Sequence, residues 1–220
     1  MIRILLIGAG HAHLAVLRSL KKEPLAGARF ALVSPRAKQL YSGMLPGVIA
    51  GHYRRDEAEI DVARLAQAAA TEFIQGEVAK LDPGQKLAKL ADGAELEYDL
   101  VSINVGALVE RSLPGAHFAL PIKPHESFFD RLALAKLNRV AIVGAGVSGA
   151  EIGMALHHRG AAVTLYSESA PLWPPQLEGE MRRMRVDVRP GMPADEIERG
   201  PVGLAAWLLD VPLAGTIAVV

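Results

Sequence analysis

A strand-like run that ends in a glycine turn and opens into a helix occurs twice in this chain, and no other feature constrains the fold as strongly. Residues 3–13 read RILLIGAGHAH and residues 139–149 read RVAIVGAGVSG. Each begins with a short apolar run of the kind buried in parallel sheets. A helical pattern follows each turn, with Leu14, Leu17 and Leu20 on one side of the first helix. Further strands are expected at residues 28–34 and 161–167, so each copy reads β-α-β with a right-handed crossover. The copies are offset by roughly 136 residues, the mark of an internal duplication.

The second copy has the spacing Gly144-x-Gly146-x-x-Gly149. The first glycine permits a tight turn, the second lets the backbone approach a pyrophosphate, and the third lets helix and strand pack closely. A diphosphate placed there would meet backbone N–H groups and the positive end of the helix. Glu168 stands at the end of the next strand, where a carboxylate can bond both ribose hydroxyls and would repel a 2′-phosphate. That favours NADH over NADPH.

The first copy keeps Gly8, Ala9 and Gly10 but has His13 at the third position. A side chain there is expected to push the helix away or to point outward. Ser34 occupies the place of the acidic ribose ligand, and Arg36 lies where it can reach a phosphate or adenine. For His11 and His13 a structural or surface role is favoured over catalysis. Met44 suits packing and cofactor contact equally. His157 and His158 belong near a helix C-terminus, and the arginines of MRRMR on a solvated face.

Between the copies, Gly and Pro in YSGMLPGVIAGHY (41–53) predict an irregular segment. Asp61 is placed to cap a helix over 62–70. Strand, hairpin and return-strand patterns follow, with turns at Pro83-Gly84 and Asp92-Gly93 and the return strand at 99–104. The proline-rich stretch 113–125 reads as a domain boundary, followed by a helix over 126–136. After Glu168 come a PLWPPQ loop, a short basic helix and a brief VDVRP strand. The remainder has no clear period, and the C-terminal part is expected to be incomplete.

Hydrophobic residues make up 50% of the 220 positions and the formal net charge is zero, a profile that excludes disorder and gives no general attraction for nucleic acid. The chain has no cysteine, which rules out disulfides, thiolate metal sites and a cysteine nucleophile. No metal site is expected. No segment approaches the 18 uncharged apolar residues of a membrane span, and a cytoplasmic location is expected, with any membrane association through regions outside this chain. Open α/β halves leave apolar edges, so self-association is expected as well.

The order GAGHAH, LVSP, YSGMLPGVIAGHY, YDLVSINVGA and VAIVGAGVSGAEIG resembles the pyridine nucleotide-disulfide oxidoreductase superfamily. Within it the sequence is most similar to type II NADH dehydrogenases and to flavoproteins fused to selenide, water dikinase. The resemblance covers about residues 1–170. It implies an α/β fold of two Rossmann-like βαβ domains with three-layer organisation, an FAD-binding part over 1–118 and an NAD(P)H-binding part over 119–220. By the same resemblance Gly8, Ala9 and Gly10 hold the FAD pyrophosphate, and Ser34 and Pro35 lie beside the adenosine ribose. Ser42 and Gly43 lie on the flavin side, and Val78 meets adenine. Asn104, Val105 and Gly106 replace the family's Ala-Thr-Gly, Lys123 lies in a segment that approaches the isoalloxazine, and Glu151 lies near the nicotinamide. The family's Gly-Asp motif and C-terminal interface domain are not found.

The expected activity is hydride transfer from NADH to FAD, with electrons passed on to a small acceptor such as a quinone. The cofactors carry that chemistry, so no acid–base residue is assigned. Two alternatives stay open: a noncatalytic dinucleotide-binding or regulatory module, and a single-cofactor NAD dehydrogenase.

Overall fold

The computed structural model describes residues 1–107, 114–133 and 137–191, together with four strands between residues 196 and 219. In chain order the elements are β1 (Ile2–Ile7), α1 (His11–Lys22), β2 (Ala28–Ser34), β3 (Lys38–Leu40), α2 (Leu45–Ala50), β4 (Glu59–Asp61), α3 (Val62–Ala68) and β5 (Glu72–Gln75). Then follow β6 (Val78–Asp82), β7 (Leu87–Leu90), β8 (Glu95–Glu97), β9 (Leu100–Ile103), α4 (His125–Ala133), β10 (Arg139–Val143), α5 (Val147–His158) and β11 (Ala162–Ser167). The last are α6 (Pro175–Met184), β12 (Asp187–Pro190), β13 (Glu196–Gly200), β14 (Gly203–Leu208), β15 (Val211–Pro212) and β16 (Ile217–Val219). They form two compact units. One comprises Met1–Gln39 with Glu59–Ala107, the other Leu40–Ala58 with Leu108–Val220.

In the first unit a parallel sheet runs in the order β5-β2-β1-β9. Alternation along β1 sends side chains to opposite faces. Leu6 packs with Leu14, Leu17 and Leu20 of α1 and Val62 and Ala66 of α3. Leu5 and Ile7 pack with Ala88, Leu90 and Tyr98, from the antiparallel β6-β7-β8 sheet and the residue that follows it. The unit therefore has three layers: helices, parallel sheet, antiparallel sheet. Leu17 and Leu32 are wholly buried, and burial of each contributes roughly 2 kcal/mol. Local chemistry sets the joints: Asp61 accepts from Arg64 N–H at the start of α3, and Asp82 and Asp92 accept backbone N–H groups in the two hairpin turns.

The second unit repeats the frame, with a parallel sheet in the order β12-β11-β10-β16. Its core gathers Phe128 from α4, Val140 and Ile142 from β10, Leu156 from α5, Leu165 from β11 and Met181 from α6.

Three readings of secondary structure need correction, and a fourth lies partly outside the described residues. The segment 41–53 contains a 3-10 turn (Ser42–Met44) and α2. Pro46 lies in the first turn of α2, where its missing N–H leaves no internal bond unmade, and the helix stops only at Gly51. The helix expected over 126–136 runs from His125 to Ala133, and residues 134–136 lie outside the described residues. The helix expected over 62–70 ends at Ala68. Finally, the stretch without a clear period carries β13, β14 and β15 as an antiparallel sheet, and β16 beside β10.

Candidate dinucleotide-binding site

In the second unit, β10 runs into the Gly144–Gly149 turn and α5 rises from it, with Gly146 as the N-terminal flanking residue. Gly144 has φ +106°, in the left-handed region that side chains disfavour, and its N–H donates to the Tyr166 carbonyl of β11. A Cβ on Gly149 would overlap the Gly144 carbonyl oxygen, so helix and turn pack as closely as they do only because that position is glycine. Beside Gly146, nothing among the described residues lies within 4 Å of where a Cβ would stand. The backbone there is open to a ligand. The indole Nε1 of Trp173 donates to the Ala145 carbonyl at 2.8 Å and ties the loop after β11 to the middle of the turn. Bare amides at a helix start with room before them fit a dinucleotide diphosphate.

In the first unit, Gly8 has φ +85° and its N–H donates to the Val33 carbonyl of β2. Here too a side-chain donor reaches the middle of the turn, Gln39 Nε2 to the Ala9 carbonyl at 2.5 Å. His13 neither points outward nor lies exposed. It is 2% exposed, its Nδ1–H donates to the Gly8 carbonyl at 2.6 Å, and in the neutral ring Nε2 accepts from the Ser102 hydroxyl at 2.9 Å. Both polar ends of the imidazole find partners, which is what allows the ring to be buried where the motif has glycine. Asn104, just beyond β9, reaches the same corner. Its carbonyl accepts from Gly10 N–H at 3.0 Å and its Oδ1 from Ala12 N–H at 3.1 Å. The frame fits a diphosphate, with one rotatable side chain standing in it.

Ser34 is buried at the end of β2, while Pro35 and Arg36 behind it are exposed. Val78 opens β6 and is partly buried against the core between the parallel and antiparallel sheets. Val105 is exposed, and Gly106 has φ +79°. In the second unit the structure brings Gly43 and Glu151 to one cavity of about 420 Å³, between α2, α5 and α6. Met154 and Met184 give it an apolar floor; His52 and His158 also line it, with ring centroids 4.8 Å apart. Ser42 stands in the turn before α2, and half-buried Lys123 precedes α4. Glu168 is exposed, one residue past β11. Met44 is partly buried against the core of its unit. His157 and His158 occupy the last turn of α5. Arg182 and Arg183 are exposed on α6, each paired with a glutamate of the same helix. Gln39, Ser102, His52 and Trp173 were not singled out by sequence, because nothing near them in the chain marks their role.

Two units of equal strand order, each with a strand–glycine–helix corner, define a protein built from two dinucleotide-binding folds. The chain belongs to the pyridine nucleotide-disulphide oxidoreductase family, whose pattern matches residues 2–209; this is a family of oxidoreductases that use FAD. A curated relative from Castellaniella defragrans, named "probable ferredoxin reductase", is 30% identical over 156 residues, 68% of this chain and 38% of the relative. The water-forming NADH oxidase of Lactobacillus brevis, solved with NADH, superposes with a TM-score of 0.82 at 19% identity, over 100% of this chain and 53% of its own. A ferredoxin reductase from Rhodopseudomonas palustris superposes with a TM-score of 0.83 at 20% identity, over 100% and 58% respectively. At these identities the likeness to the solved structures is one of fold. The chain spans little more than half the length of these structures and less than half of the curated relative. Among the described residues no helix is long and apolar enough to cross a membrane.

Proposed function

We propose that the chain is the dinucleotide-binding part of an FAD-dependent NADH oxidoreductase, with FAD at the corner of the first unit and NADH at that of the second. The observation behind this is the repetition of one corner in two sheets of matching order. When bound, the cofactors supply the chemistry: hydride passage from NADH to flavin, then electron transfer to an acceptor. The residues of the chain bind and orient. At the second corner Gly144, Gly146 and the amides opening α5 take the diphosphate, Glu168 takes the ribose hydroxyls, and Glu151 serves the nicotinamide end. At the first, Gly8, Ala9 and Gly10 take the diphosphate, with Ser34, Pro35, Arg36 and Val78 on the adenosine side. Asn104, Val105 and Gly106 border that corner, and Ser42, Gly43 and Lys123 belong to the flavin side. The proposed FAD-binding part spans 1–118 and the NADH-binding part 119–220, with the segment Leu40–Ala58 of the former belonging to the second compact unit.

A quinone is the proposed acceptor class. A protein electron carrier is the second reading, favoured by the ferredoxin reductases among the relatives. The test is an anaerobic spectral titration of the purified protein with NADH, followed by an acceptor screen. A yellow protein bleached by NADH is expected. Colourless protein that binds NADH alone would overturn the reading in favour of a noncatalytic module.

A further inference from the structure

We propose that Asn104 is a latch on the first corner, a side chain that holds the diphosphate's place at the start of α1 and must leave for a dinucleotide to enter. The inference rests on the assignment of FAD to that corner and goes beyond it by naming what controls entry.

Gly10 flanks the N-terminus of α1 and supplies no side-chain cap. A helix start without a cap leaves its first amides in need of an acceptor. Here the acceptor comes from 92 residues away, as Asn104 Oδ1 takes the Ala12 N–H at 3.1 Å. That amide belongs to the set a bound diphosphate uses in such corners. The same oxygen stands beside Gly10, where a Cβ would overlap both it and the Asn104 backbone carbonyl. The second glycine is thus closed over by Asn104 backbone and side chain together, while the early amide of the helix is held by the rotatable side chain alone.

The backbone around the latch is held independently. Asn104 C=O accepts from Gly10 N–H, and two residues earlier on β9 the Ser102 hydroxyl meets His13, which grips the Gly8 carbonyl. Rotation of the Asn104 side chain breaks none of these bonds, so it can swing out while the turn keeps its shape. The amide cannot simply flip in place, because its NH₂ group would then face the Ala12 N–H, donor against donor. A diphosphate oxygen and Asn104 Oδ1 therefore compete for one donor.

The test compares FAD dissociation constants, by flavin fluorescence, for the wild-type chain, Asn104→Ala and Asn104→Asp, alongside hydrogen exchange at the Ala12 amide without FAD. Asn104→Ala removes the competitor and is expected to tighten FAD about five-fold, the size of a helix-cap interaction, while Ala12 loses protection. Asn104→Asp keeps the acceptor, adds a negative charge beside the diphosphate, and is expected to weaken FAD at least as much while Ala12 stays protected. If wild type binds FAD and Asn104→Ala binds it equally or less tightly, the latch is wrong and the flavin assignment stands. If none of the three proteins binds FAD, the flavin assignment falls and the latch falls with it.

Discussion

The indole N–H of Trp173 reaches the carbonyl of Ala145, 28 residues earlier, at 2.8 Å. Ala145 is the middle residue of the second glycine turn and is buried, so its carbonyl has little access to water. Trp173→Phe keeps an aromatic ring against the core but removes the donor, and a buried acceptor left unpaired costs about 1–3 kcal/mol. The turn should loosen. NADH affinity is expected to fall roughly five- to ten-fold with flavin content unchanged, read by NADH titration and by the absorbance of the purified protein. Unchanged NADH affinity would remove Trp173 from the site.

Gly146 and Gly149 separate binding from folding. A methyl group on Gly149 would overlap the Gly144 carbonyl oxygen, so Gly149→Ala should push α5 off the turn and lower stability by about 1–3 kcal/mol. A methyl on Gly146 meets nothing among the described residues within 4 Å. Gly146→Ala should therefore melt with the wild type and yet lose NADH affinity, because the methyl stands on the face to which the proposal assigns the diphosphate. Equal melting of both variants, or full NADH binding by Gly146→Ala, would contradict the corner as drawn.

On the proposed reading, Glu168 sets the choice of nucleotide. Its carboxylate is exposed just beyond β11, placed to accept from ribose hydroxyls and to repel a 2′-phosphate. Glu168→Arg exchanges both effects for their opposites. The ratio of NADH to NADPH affinity is expected to fall by ten-fold or more, measured by parallel titrations. A ratio that does not move would show that the ribose lies elsewhere.

How much of this was legible follows from how far each signal travels along the chain. The two corners were legible because strand, glycines and helix are adjacent in sequence and each glycine answers to a backbone requirement on the spot. Gln39, Trp173 and Asn104 were not legible as determinants of those corners, since their partners lie 30, 28 and 92 residues away; Asn104 was noticed only through resemblance. His13 misled for a related reason. Its sequence neighbours announce a steric fault, while the Ser102 hydroxyl that makes the buried ring acceptable arrives from β9. Pro46 and Gly47 masked α2 because the two residue types break helices in the middle but not in the first turn.

His13 itself yields a stability prediction. His13→Ala empties a buried site and leaves the Gly8 carbonyl without its partner, while the hydroxyl of exposed Ser102 turns to water. The loss is expected to be about 2–4 kcal/mol, and adding Ser102→Ala should cost nothing further, so that the double variant loses less than the sum of the two singles. Chemical denaturation of the four proteins of the cycle measures this. Strictly additive losses would mean that the pair is not coupled.

Asp99 should contribute a pH-dependent share of stability in acid. Its carboxylate accepts the Arg3 backbone N–H at 2.7 Å and the Arg3 guanidinium beside it, joining the start of β1 to the lead into β9. The side-chain hydrogen bond from Arg3, helped by the backbone one, holds the Asp99 carboxyl below the ordinary carboxylate range. A carboxyl whose folded pKa is depressed contributes its full stability above the unfolded pKa, and that contribution is lost as pH falls through the folded one. Asp99→Asn removes the titration, so its denaturation midpoint should lie below that of the wild type near neutrality and decline less steeply from about pH 5 downward. Glu97 also pairs with Arg3, and Glu97→Gln serves as the control that leaves the backbone bond to Asp99 in place. Midpoints measured at a series of pH values decide the matter. If the wild type and Asp99→Asn fall in parallel through the acid limb, the Arg3–Asp99 contact carries none of the pH dependence.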